Sequence, residues 1–178
     1  MRWIITEAEF KEIFLRARTC VYIDSGREPT TLRRLTFDDA GVCTHKFADL
    51  LQRLMECSGD LAAHSVVLDP DPVHYFYRNF NKYPSLEIAL GDASAAYLSA
   101  LNEDPGGSPA DAVGTNWWAF VVVPPSLKWF VHARRSDQDD SGHLWIPPDW
   151  MDRVHDIYPY LNPAGRVAQP LKRVRTSG

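Results

Sequence analysis

The chain has 178 residues, 45% hydrophobic and 24% charged, a size suited to one domain and a composition far from that of disordered chains. No apolar run approaches the roughly 18 to 20 residues that cross a bilayer, and the start Met1-Arg2-Trp3-Ile4-Ile5 lacks the apolar centre of a secretory signal, so a cytoplasmic protein without membrane association is expected. Net charge is −4, but the stretch 166–178 holds Arg166, Lys172, Arg173 and Arg175 and no acid, leaving 15 basic against 23 acidic residues, or −8, over 1–165.

The expected organisation follows: one α+β domain over 1–165 and a basic, flexible tail over 166–178. An acidic body disfavours phosphate backbones and steers toward a basic partner, so nucleic acid is not the expected ligand. Three cysteines, Cys20, Cys43 and Cys57, form no CxxC pair and read as reduced, small buried hydrophobes.

In chain order, Thr6-Glu7-Ala8-Glu9 has the form of a capping box, and Phe10, Ile13, Phe14 and Ala17 recur at helical spacing behind it. Thr19–Asp24 (TCVYID) is β-branched and aromatic and stops at Ser25-Gly26, which predicts a strand and turn. Residues 27–43 suggest a short hairpin around Asp38-Asp39-Ala40-Gly41. Phe47, Leu50, Leu51, Leu54 and Met55 make a helical stripe that ends near Ser58-Gly59, and His64–Leu68 reads as a buried strand. Asp71 with Pro72 starts a helix over Val73–Phe80. Leu86–Leu90 reads as a strand or a further helical turn, and Asp92 is placed to cap a helix over Ala93–Leu101. Residues 102–116 are turn-rich and read as a loop.

The C-terminal part predicts an antiparallel meander. Trp117–Val123 and Leu127–Arg135 pair across Pro124-Pro125-Ser126, and Asp137 to Gly142 turns into a third strand, His143–Ile146. In the second strand Trp129, Val131 and Ala133 fall on one face and Lys128, Phe130, His132 and Arg134 on the other, the latter expected to be mixed and partly exposed. Trp150, Val154, Ile157 and Tyr158 line a last helix. The fold class is therefore α+β: an antiparallel sheet, the Trp-rich meander plus one or more N-terminal strands, with helices largely on one face.

Motifs for nucleotide loops, hydrolase elbows, metalloproteases and EF-hands are missing, and no cofactor is expected. Cys43, His45, Cys57 and His64 lie within 22 positions, but C-x-H-x11-C-x6-H matches no standard zinc module. Asp69 and Asp71 are explained by turn and cap roles, and Tyr75, Phe76, Tyr77, Phe80 and Tyr83 by core packing. His132 and His143 are placed as neighbours on adjacent strands, with Arg134 close by, where they could bind phosphate or move a proton.

Two functions are expected from these residues. The first is a protein-binding module, similar in composition to small acidic immunity proteins that neutralise basic toxins, using Trp129, Phe130, Trp145 and the acidic tip Asp137, Asp139 and Asp140. The alternative is a small enzyme acting on a phosphate-bearing or nucleotide substrate through His132, His143 and Arg134.

Overall fold

The structure, a computed structural model, describes residues 1–27, 30–103, 112–135 and 140–163. The basic tail and the middle of the 102–116 loop fall outside these residues.

An eight-stranded antiparallel sheet forms the frame. Its strands are β1 (Arg2–Trp3), β2 (Arg33–Asp38), β3 (Ala62–Asp69), β4 (Ser85–Ala89), β5 (Ala119–Val123), β6 (Phe130–Arg134), β7 (Ser141–Ile146) and β8 (Asn162–Pro163), in the order β1-β4-β3-β5-β6-β7-β2-β8. The expected meander is β5-β6-β7. The expected hairpin over 27–43 is replaced by one strand, β2, whose partners β7 and β8 lie some hundred residues on. Asp38 then caps a 3-10 turn, accepting from the Ala40 amide.

The helices are α1 (Glu7–Asp24), α2 (His45–Ser58), α3 (Arg78–Phe80, continuing a π-helical stretch Pro72–Tyr77), α4 (Ser94–Asn102) and α5 (Met151–His155). The larger core lies on one face of the sheet, where Phe47, Leu51 and Leu54 of α2, Tyr97 of α4 and Val154 of α5 meet Trp129, Val131 and Leu144. On the other face Phe10, Ile13, Ala17 and Cys20 of α1 pack on Val66, Val121 and Phe130. Among the described residues, no helix is long and apolar enough to cross a membrane.

Several local expectations change. Thr19–Asp24 continues α1 instead of forming a strand, because Cys20 extends the buried Phe10, Ile13, Ala17 stripe by another three residues. The Thr19 hydroxyl donates to the Leu15 carbonyl one turn back, and Gly26, at φ 74°, turns the chain away. The capping box at α1 does not close: Thr6 makes no side-chain cap bond, and Glu9 instead pairs with Arg2 at 2.6 Å, which also reaches Glu87 at 2.7 Å. Asp92 does not cap α4; its Oδ2 accepts from the Ala89 amide. Asp71 does cap as expected, accepting from the amides of Val73 and His74.

Trp117, Trp129 and Trp150 are buried, whereas Trp118 is half exposed. The expectation that Phe130 and His132 lie on a partly exposed face also fails, since α1 covers β3, β5 and β6 there and buries both side chains. The cover stops at β6. On the same face of β7 and β2, Thr36, His143 and Trp145 are half-buried and Arg34 is exposed.

Candidate functional site

The sheet register lays out this open face rung by rung. Phe130, Trp145 and Arg34 form one rung, His132, His143 and Thr36 the next, and Arg134, Ser141 and Asp38 the third. Residues opposite one another in an antiparallel pair point to the same side. The alternation seen in the sequence therefore does bring His132 and His143 together.

Asp24, the last residue of α1, comes down between them. Its Oδ2 lies 2.8 Å from His132 Nδ1 and its Oδ1 2.8 Å from His143 Nδ1, and the Trp145 indole N–H donates to Oδ1 at 2.7 Å. The carboxylate is buried, with 7% of its side chain exposed; His132 keeps 4% and His143 20%. Burial acts to raise the Asp24 pKa, but the hydrogen bonds from His132, His143 and Trp145 outweigh it and hold the group well below the usual carboxylate range. An ionised carboxylate only accepts, so both imidazoles donate through Nδ1, and a ring carrying that proton alone has Nε2 as an acceptor. Of the two rings, His143 is the one solvent can reach.

Beside the carboxylate lies an open cleft of about 490 Å³, lined by Ile23, Asp24, Leu32, Arg33, Arg34 and Trp145. The Arg34 guanidinium sits 5.9 Å from the centre of the Trp145 ring, whose other side stacks on Phe130 at 5.7 Å. This fixes Arg34 by a cation–π contact. Among the described residues neither Arg33 nor Arg34 has a carboxylate partner. By the same register Arg33 pairs with Ile146, a core residue of the opposite face, so the cation on the Asp24 side of the cleft is Arg34, an unneutralised guanidinium suited to an anion.

The other candidate residues scatter. Arg134 stands on the third rung, away from this cleft. Trp129 and Phe130, expected as surface anchors, are buried at 0% and 1% exposure and offer nothing to a partner. Trp145 lines the cleft and Asp140 is exposed, while Asp137 and Asp139 lie outside the described residues. The four thiol and imidazole positions do not meet. Cys43 Sγ faces the Gly114 carbonyl, His45 contacts Ser94 at the start of α2, Cys57 lies near the other end of that helix, and His64 sits across the sheet beside Glu87. Among the described residues no three His, Cys, Asp or Glu side chains are grouped to hold a metal.

Sequence reasoning missed Asp24 and Arg34. The one available signal at Asp24 was an acidic residue ending a helical stripe, where the helix dipole favours cations. Comparison with protein-family models, with curated proteins and with solved structures finds no match to this chain.

Proposed function

We propose that this protein is a small enzyme acting on a phosphate-bearing substrate, with Arg34 holding the phosphate and His143, oriented by Asp24, moving the proton. The observation that carries this reading is the Asp24 carboxylate, bound by two imidazoles and an indole at the edge of an arginine-lined cleft. A buried aspartate that fixes the tautomer of a histidine makes its far nitrogen a usable base. His143 stands two residues along β7 from Trp145, or about 7 Å, which is within reach of a group bound at Arg34. In hydrolysis, water adds to phosphorus and gives its proton to His143 Nε2. The bond from phosphorus to the leaving oxygen breaks, and the imidazolium returns the proton to that oxygen. Arg34 meets the charge that gathers on the phosphoryl oxygens.

Binding of a basic protein has less support, because its expected aromatic anchors Trp129 and Phe130 are core residues.

The test is a turnover screen with chromogenic phosphate mono- and diesters and with nucleotides. His143→Asn keeps a donor for Asp24 but has no base, and should lower turnover by about 100-fold or more while leaving the melting temperature close to that of the wild type. Absence of any turnover in the wild type, or equal turnover in the variant, would remove the reading.

A further inference from the structure

A second open cleft, of about 650 Å³, adjoins the first, and the two share Ile23 and Leu32 as a common wall. Both volumes fall in the range of roughly 300 to 1,000 Å³ typical of small-molecule sites. Their linings differ in kind. The first has Arg34 and Asp24, whereas the second combines apolar Leu127 and Pro147 with the hydroxyl-bearing Thr30, Thr31 and Ser126.

One wall of the second cleft is built rigidly. Asp60, itself buried, accepts from the Ser126 amide at 3.2 Å and from the Ser126 hydroxyl at 2.6 Å. The Ser126 hydroxyl in turn accepts from the Lys128 amide, and the Lys128 ammonium donates to the Ser58 carbonyl at 2.9 Å. Between these pinned residues Leu127 is held at φ 55° with 38% of its surface exposed. A leucine is an unfavourable choice for left-handed backbone, where glycine or asparagine is at ease. A turn that merely reversed the chain would be served better by either. The loop instead holds an apolar side chain at the margin of the cleft, and backbone held in an unfavourable region commonly serves a site.

We infer that the adjoining cleft is the subsite for the organic part of the substrate, and that the substrate class is the nucleoside monophosphates. The inference rests on the phosphate reading of the first cleft. A nucleoside 5′-phosphate carries, in sequence, an anion, a hydroxyl-bearing ring and a flat, largely apolar base. The two clefts supply the same three kinds of group: Arg34 in the first, and the threonine hydroxyls beside apolar Leu127 and Pro147 in the second. Leu127 is in this scheme a specificity-determining residue that touches the base and takes no part in the proton transfer.

Titration calorimetry in the His143→Asn background, where turnover does not intrude, distinguishes the two levels of the argument. The probes are inorganic phosphate, adenosine 5′-monophosphate and hexyl phosphate. The nucleotide should bind about ten-fold or more tightly than phosphate, with hexyl phosphate between them. Leu127→Asn, which suits the left-handed backbone and so keeps the loop, should remove most of that advantage and leave phosphate affinity unchanged. Equal binding of nucleotide and phosphate would overturn the second subsite and spare the first. Hexyl phosphate equalling the nucleotide, or an advantage untouched in Leu127→Asn, would overturn the nucleoside assignment. Failure of all three probes to bind would take down the phosphate reading and this inference with it.

Discussion

Asp24 ends a helix at the pole where backbone carbonyls already concentrate negative charge, an unfavourable place for a carboxylate. Three side-chain donors on the sheet outweigh that cost, and they keep the group ionised to unusually low pH. The sign of the linkage follows. A depressed native pKa adds stability that is fully present above the unfolded value near 4 and is lost as pH falls through that value toward the native one. Asp24→Asn should destabilise the protein by about 2 kcal/mol at pH 7, since the amide keeps one acceptor oxygen, loses the charge and turns N–H donors toward a ring that needs an acceptor. Urea unfolding at pH 7 and pH 3 checks this, and the gap between variant and wild type should narrow at the lower pH. At this scale the sequence showed half of the site. Period-two alternation placed His132 and His143 side by side, but the residue that joins them is 108 positions from one and 119 from the other, and no local pattern encodes that contact.

Asp24 reached its position because Thr19–Asp24 obeyed the burial stripe of α1 over its own β-propensity, an instance of tertiary packing overriding a weak local preference. Thr19 is exposed in that helix, so Thr19→Ala should stabilise the protein by about 0.5 kcal/mol, the reverse of the effect expected in a strand. Thermal denaturation gives the sign. Elements with a strong period, such as α2 and the β5-β6-β7 meander, were legible from sequence in type and place. β2 was legible only as apolar residues around a turn signal, since its partners come from the far end of the chain. Its pairing with β7 depends on Gly142, where a Cβ would run into the ring of Phe37. That ring is packed against Phe47 and Tyr158 and has little room to move. Gly142→Ala should therefore cost about 1 to 3 kcal/mol, measured by chemical denaturation.

Over the whole molecule, length and composition anticipated one folded domain with a sizeable core, the pattern of elements anticipated its α+β class, and the net acidity suggested a partner rather than a cleft. The acidity is an average. The described surface places the unneutralised Arg34 on the part of the sheet that α1 leaves uncovered, and a sum over the chain conceals such a local cation. The tryptophans misled in the same way, because counting them says nothing of depth: Trp117, Trp129 and Trp150 fill the larger core, while Trp145 borders the cleft.

The lone helix α1 has one more consequence. It is held at its start by Glu9 with Arg2, which also reaches Glu87, and at its finish by Asp24 with the two histidines. Both fastenings include an acid whose pKa is lowered by its partners, so both weaken when acid is added. The layer beneath is smaller than the core on the opposite face. Once pH falls below about 4, where unfolded carboxylates begin to take up protons, the helix becomes a plank with its nails being drawn at both ends: hydrogen exchange should show its amides opening together, ahead of α2 and the central strands, as one cooperative unit. On the proposed reading, His143 would then lose the support of Asp24 before the sheet lost its fold, and turnover would fall ahead of global unfolding.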